Sequence, residues 1–519
     1  MEIKKIINNL NREIPSYIEG YGKVKPYSGP FALTPEGRKY SSVKGIFFPE
    51  NSKILCNIYD ALKKCNLKDG MTISFHHHLR NGDYVLNIVM NEIAKMGVKN
   101  LNLVCSSLTK AHEPLIEYIK NKTITGISTS GLRGEIAKEI SKNNILEKPV
   151  IFRTHGGRAR AIEAGEIKID IAFIAASACD EMGNMNGIEG KSAFGAMGYP
   201  MVDAEYADKV IAITDNLVPF PLKRISIPMT LVDYVVQVDS IGDPEQIATG
   251  ATRITKNPQE LLIAENASKV LIASGYIKNG FSFQAGSGGA SLAVCKYLKE
   301  YMKENSIKGS FAAGGITATM VELLEEGYFN ALLDTQSFDN KAAKSLINNS
   351  AHIEMSSSMY ANPHTKGCSA HKLDIMILSA TEIDDNFNIN SLTGSNGIIM
   401  GAVGGAPDTA AGAKLTLVVA PTMRKRIPII TDKVTNIVTP GETVDILVTE
   451  RGICVNPKRT DLIEMLNNAG LSLKSIKELR KEVEKLTGVP EKTEFSEKII
   501  GIIEYRDGTV IDVIKQIKD

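Results

Sequence analysis

Residues 71–107 read MTISFHHHLRNGDYVLNIVMNEIAKMGVKNLNLVCSS. The apolar run MTISFHH predicts a strand. From Asp83 to Met96 the apolar residues fall at Val85, Leu86, Ile88, Val89, Ile93 and Met96, the spacing of one helix face. LNLVCSS (101–107) then predicts a second strand. Strand, helix, strand in this succession describes parallel strands buried on both faces. The same alternation continues outward. Helical stretches are expected at 51–66 and 112–121, and strands at 148–154, 169–177 and 209–215.

A second cycle opens near residue 250. In NPQELLIAENASKVLIAS (257–274) Asn257 fits an N-cap, with Pro258 at the first helical position and Glu260 three residues on. Strands are expected within GFSFQAG and at 310–315, 373–380 and 413–421, with VDILVTERGICVN (444–456) ending the series. The fold class expected is α/β, with two related open, mostly parallel-sheet domains and flanking helices. Residues 1–48, polar and rich in Pro, Gly and Lys, make an N-terminal arm. Residues 49–250 make the first domain. Residues 251–519 make the second, with a helical and β extension at its C-terminal end. The charged helix KSIKELRKEVEKL (474–486) in that extension fits a solvated face.

Composition removes several function classes. Lys+Arg 60 against Asp+Glu 59 leaves a formal charge of +1, with no charge block of the kind that binds nucleic acid. No apolar run reaches membrane-spanning length, and with no apolar h-region behind Met1-Glu-Ile-Lys-Lys no signal peptide is expected. Seven cysteines without a C-x-x-C pair fit thiols in a reducing compartment, so a cytoplasmic location is expected.

Ligands of parallel sheets sit beyond the carboxyl ends of the strands, and glycine-rich turns follow several predicted strands here. In FQAGSGGASLAV (283–294) consecutive amides of Gly286, Ser287, Gly288 and Gly289 could hold an anion or a developing oxyanion. No G-K-[ST] ending makes it a phosphate-binding Walker loop. In SNGIIMGAVGGAPDTAAGAKLTLVV (395–419) Asp408 is read as supporting the loop ahead of touching a ligand. Arg153, His155, Arg158 and Arg160 form a cationic edge beside Gly156-Gly157. Cys179 fits a buried thiol better than a nucleophile, because no histidine adjoins it in sequence. Cys368 and His371 show a C-x-x-H spacing with no companion pair, so no metal site is expected. His364 and Lys366 suit a polar loop that holds carboxylates. In SFHHHLRNGD (74–83) alternation along a strand would send His76 and His78 to one side and His77 to the other. Three such histidines do not converge on one ion, and the stretch fits an anion pocket that includes Arg80.

Taken in order, these loops resemble the coenzyme A transferase superfamily over about residues 45–460. FQAGSGGASLAV, IDIAFIAASACDEMGNMNG (169–187), VDYVVQVDSIGDP (232–244) and IIMGAVGGAPDTAAGA carry the superfamily likeness. FHHHLRNGD, RTHGGRARAIEAGEI and SSSMYANPHTKGCSAHKLD look like the citrate lyase alpha subunits within it. The resemblance implies a transferase that exchanges acetyl for citryl on the thiol of an acyl carrier protein. It implies a phosphoribosyl-dephospho-coenzyme A arm as the thioester carrier, or coenzyme A in its place, and no permanently bound cofactor. It implies beta and gamma partner subunits, the gamma being the carrier, within an oligomer. On this reading His76, His77, His78, Arg80, Arg153, His155, Arg158, Asp180, Asn184, His364 and Lys366 contact citrate. Gly314, Gly315, Gly401, Gly404, Gly405 and Asp408 line the thioester arm. Many superfamily members attack the thioester with a glutamate. Here the corresponding region FAAGGITATMVELLEEG (311–327) offers Ala318, with Glu322 four residues on. A mixed anhydride formed by citrate itself is therefore expected, without a glutamyl enzyme. Another transferase or thioester hydrolase of this fold, or a noncatalytic carrier-binding scaffold, are the competing readings.

Overall fold

The computed structural model describes residues 4–32, 52–248, 255–286 and 288–518. Two α/β domains are built on sheets of ten and eight strands. In the first domain, where Ile54–Leu55 adds a short parallel strand at one edge, the seven central parallel strands are, in chain order, Thr72–Phe75, Leu101–Cys105, Ile124–Thr129, Val150–Phe152, Ile171–Ala176, Lys209–Thr214 and Tyr234–Gln237. In the second they are Ser282–Ala285, Gly309–Ile316, Phe329–Ser337, His352–Glu354, Ile375–Leu378, Leu415–Val419 and Ile446–Val448. Across each sheet the strands run fourth, third, second, first, fifth, sixth, seventh. The order reverses between the first and fifth strands, and a reversal of this kind opens a crevice at the strand ends.

Burial explains why these segments are strands. Ile171–Ala176 is buried at every position, because helices cover both faces of the sheet. The helix after the first strand spans Val85–Met96, buries Val85, Leu86, Val89, Met90 and Ile93, and ends at Gly97 with φ 73°. The helix Pro258–Ala273 is capped as its sequence predicts, with Asn257 Oδ1 accepting from the Gln259 amide.

The likeness of the halves extends beyond the sheets. After the fifth strand each half forms a small three-stranded sheet, one built on Ala178–Asp180 and the other on Glu382–Asp384. Asp180 accepts from the Met182 and Asn184 amides and from Asn184 Nδ2. Asp384 accepts in the same way from the Asn386 and Asn388 amides and from Asn388 Nδ2. Asn184 Oδ1 then receives the Met229 amide, and Asn388 Oδ1 the Gly441 amide.

Two expectations about the chain's organisation change. VDILVTERGICVN is two antiparallel strands, Ile446–Val448 and Ile453–Val455, with a turn between them. The C-terminal hairpin, Phe495–Glu504 and Val510–Ile517, leaves the second domain. It adds in parallel to Val150–Phe152 at the edge of the first sheet, so residues 251–519 do not form one unit. Packing decides this. Ile502, Val510 and Val513 are buried against Ile14, Ile18 and Val24 of the N-terminal arm, which wraps the hairpin. Residues 33–48 of the expected arm and the expected junction at 249–254 lie outside the described residues. No helix among the described residues is long and apolar enough to cross a membrane.

Candidate active site

The carboxyl ends of both sheets face one cleft of about 570 Å³. The equivalent first strands of the two halves deliver the two stretches singled out in the sequence. Thr72–Phe75 leads into His76-His77-His78 and Arg80, and Ser282–Ala285 leads into Gly286 and the glycine loop.

The three histidines divide as strand alternation requires. His77 lines the cleft, while His76 and His78 are buried beneath it, their Nδ1 atoms 2.9 Å apart. His76 Nε2 donates to the Ala175 carbonyl, and His78 Nε2 lies 3.3 Å from the Thr335 carbonyl. His155 also lines the cleft, its ring 4.6 Å from that of Tyr199 and 6.0 Å from that of His77. Burial holds all four imidazoles neutral. It lowers His76 to about 4 and His155 to about 3, and His77 and His78 well below the ordinary value.

Arg80 reaches the cleft from a backbone with φ 55°. Its guanidinium donates to the Ser337 and Phe338 carbonyls and stacks on the Phe338 ring, so it joins the two domains at the cleft wall. Two further cations, Lys110 and Arg133, line the cleft from loops of the first domain. No Asp or Glu stands among the described residues that line it.

Gly315, Gly404 and Gly405 line the cleft as expected of a loop that approaches a ligand. Gly314 lies behind, with φ +101°, where an added Cβ would stand 2.6 Å from the Gln284 amide. Gly401 packs on Ser391, and its carbonyl accepts from the Leu132 amide. Asp408 is buried and accepts from Thr154 Oγ1 (2.8 Å) and the Gly156 amide (2.9 Å), with Arg506 Nε 3.8 Å away. It supports the loop and does not face the cleft.

Several expected contacts are corrected. Arg153 forms a two-point ion pair with Glu504 of the C-terminal hairpin, and Arg158 one with Asp203. Arg160 is paired in the same manner with Glu166. These guanidiniums are buried because carboxylates neutralise them, Glu504 and Asp203 from other elements and Glu166 from the turn after the helix His155–Glu163, and none lines the cleft. Asp180 and Asn184 close the turn that both halves repeat, so they are structural. His364 and Lys366 do not line the cleft, and Lys366 is exposed. The Gly286 amide donates to the Ile377 carbonyl, which removes it as an oxyanion donor. Gly288 and Gly289 head the helix Gly289–Glu304, where first-turn amides have no intrahelical acceptor. Ser287 lies outside the described residues. Cys179 is a buried thiol pushed up to about 12. His371 Nε2 faces the Arg506 guanidinium at 2.7 Å, the environment of an acceptor and not of a metal ligand.

Sequence reading missed Lys110, Arg133, Tyr199, Gln284 and Tyr360. Gln284 carried a signal. It is a polar residue inside a buried strand, and its amide meets the Tyr360 hydroxyl at 2.8 Å. The other four sit in loops or helices whose local pattern marks nothing unusual.

Comparison with known proteins agrees with this arrangement. The family model for the citrate lyase alpha subunit (CitF) matches residues 51–517. The citrate lyase alpha chain of Klebsiella pneumoniae is 48% identical over 517 residues, covering 100% of both chains. That of Haemophilus influenzae is 52% identical over 470 residues, 91% of this chain and 94% of its own. A crystal structure of the alpha subunit of citrate lyase from Streptococcus mutans, in complex with citrate, superposes with a TM-score of 0.93 at 50% identity. It covers 99% of this chain and 100% of that one. A malonate decarboxylase alpha subunit from Acinetobacter baumannii shares the fold at a TM-score of 0.64 and 16% identity. The chain belongs to the family of citrate lyase alpha subunits, enzymes built on the two-domain α/β fold of the coenzyme A transferases.

Proposed function

We propose that this subunit exchanges acetyl for citryl on the thiol of an acyl carrier protein, and that citrate itself is the nucleophile. The observation that carries the reading is a cleft with Arg80, Lys110 and Arg133 on its walls and no carboxylate among its described lining residues. Cationic and neutral donors suit a tricarboxylate. A glutamyl enzyme would need a carboxylate at the reacting thioester. Glu322 cannot supply it, because it lies on the exposed face of the helix Ala318–Glu325 and pairs with Lys341 at 3.2 Å. The citrate bound to the Streptococcus mutans relative supports the same substrate here.

In the first step a citrate carboxylate oxygen attacks the acetyl thioester carbon. The carbon–sulfur bond breaks, the electron pair leaves on sulfur, and a citryl–acetyl anhydride forms. In the second step the thiolate attacks the citryl carbonyl, and acetate leaves with the bridging oxygen. Citrate is already ionised near neutral pH, so no general base is required. The chain's share is to hold the reactants in line and to stabilise the developing oxyanion. The carrier is a gamma subunit with a phosphoribosyl-dephospho-coenzyme A arm, and a beta subunit cleaves the citryl product. The complex works in the cytoplasm.

A single turnover with citrate labelled by 18O in its carboxylates tests the chemistry. Direct attack places 18O in the acetate released in that turnover. A glutamyl enzyme would retain the label on protein and release acetate carrying an unlabelled enzyme oxygen. The second result would refute the proposal.

A further inference from the structure

The parallel strands Thr72–Phe75 and Leu101–Cys105 pair with Phe75 opposite Cys105. Their ends therefore bring His77 beside Ser106. The Ser106 hydroxyl, fully buried, accepts the His77 backbone amide at 3.0 Å and lies 2.6 Å from His77 Nδ1. The structure gives that hydroxyl no other hydrogen-bond partner among the described residues.

These two contacts determine where the proton sits. A serine hydroxyl has one hydrogen to donate and lone pairs to accept with. Its oxygen already accepts the backbone N–H. If His77 carried its proton on Nδ1, the serine would accept twice and its own O–H would be buried without an acceptor. If the serine donates to Nδ1, every group is satisfied, and the imidazole proton must be on Nε2. We infer that Ser106 is a positioning residue that fixes His77 as the Nε2–H tautomer, so that His77 presents a hydrogen-bond donor to substrate oxygens in the cleft.

The ring is held for that role. His77 stacks near-parallel on His155 and lies 5.1 Å from the Tyr199 ring. Burial, with His78, His155, His76 and Arg80 close by, keeps it uncharged at neutral pH. A neutral imidazole that donates through Nε2 can polarise a carbonyl or bind a carboxylate without giving up its proton. The donor role rests on the function proposed above, whereas the tautomer does not.

Histidine labelled with 15N in the full chain reads the tautomer without substrates. The His77 signals are assigned by their loss in His77→Gln. We expect an unprotonated Nδ1 and a protonated Nε2 at pH 7. A proton on Nδ1, or an averaged pair, would overturn the inference whether or not the Ser106 variants fold. Added citrate should shift the Nε2 signal, and an unmoved signal would overturn the donor role. In Ser106→Ala the two nitrogens should average and kcat should fall on the order of tenfold, with the citrate KM within about twofold. Ser106→Thr, which keeps the hydroxyl, should restore the single tautomer and most of the rate. An alanine variant with unchanged tautomer and rate would refute the assignment. A chain with the Nε2–H tautomer that transfers nothing would count against the proposed function and not against the tautomer.

Discussion

The Asp408 carboxylate of the second domain holds the Thr154–Gly156 turn of the first, accepting from the threonine hydroxyl at 2.8 Å and the glycine amide at 2.9 Å. The next contact along that turn, His155 N–H to the Gly404 carbonyl at 3.0 Å, sets a cleft wall. Asp408→Ala would leave the Arg506 guanidinium buried without its counter-ion, and the Thr154 hydroxyl and the Gly156 amide without their acceptor. We expect a loss of about 3 kcal/mol in folding stability, read by denaturant unfolding, and a fall in transfer rate larger than tenfold in the protein that remains folded. Unchanged stability would show that the pair is not a domain clamp.

Gly156 is a glycine because the helix His155–Glu163 meets the Ala361 carbonyl there, at a distance that admits no Cβ. In Gly156→Ala either that helix or the Ser357–Ala361 segment must shift. A 1 Å displacement of a positioned group costs on the order of 100-fold in rate. Steady-state kinetics on the folded variant should show this as a fall in kcat/KM. A variant as active as the parent would mean that the close approach is not coupled to the cleft.

Arg153 and Arg133 should behave in opposite ways. Arg153→Met breaks the buried pair with Glu504 and should lower the melting temperature by detaching the C-terminal hairpin, while the citrate KM stays within about twofold. Arg133→Met removes a cleft cation with little effect on stability and should raise the citrate KM about tenfold. The reverse pattern would restore Arg153 to the substrate site.

Acid should unfold the protein through its buried histidines. In the folded chain His76 titrates at about 4 and His155 at about 3, against about 6.5 when unfolded. Between these values the unfolded chain binds more protons. The stabilisation is therefore complete above about 6.5 and is lost as pH falls through the folded values. His76 alone accounts for on the order of 3 kcal/mol. Asp408, raised by burial to about 6, acts in the opposite sense, favouring the fold at low pH and less as pH rises through 6. His371, also lowered to about 4, adds to these histidines, and the five together outweigh Asp408, Glu354, Asp384 and Asp445, the carboxyls that burial raises. Unfolding free energy should rise from pH 4 to 7, with a shallower slope in His76→Gln. Parallel slopes in the two proteins would disprove the assignment.

Much of the fold is legible in sequence because its signals are local. Ile171–Ala176 reads as a strand since all six positions are buried, and Asn257-Pro258 announces a helix since a cap acts over three residues. The relation between halves was legible as two cycles of alternation. The stronger mark is Asp-x-x-x-Asn-x-Asn at 180–186 and again at 384–390, where the same side chains close the same turn. Read as one copy, Asp180 and Asn184 look functional. Read as a repeated pair, they are structural.

By itself the sequence determined the α/β alternation, the glycine turns and the division of His77 from His76 and His78, because strand and helix periods act over a few residues. Only the tertiary structure decided which cations are free to meet substrate. Arg153, Arg158 and Arg160 stand together in sequence, yet each is neutralised by a carboxylate, and for two of them folding brings it from afar, Asp203 being 45 and Glu504 351 positions away along the chain. Burying a charge is tolerable only beside its opposite, and which arginine meets that condition depends on contacts that no local pattern records.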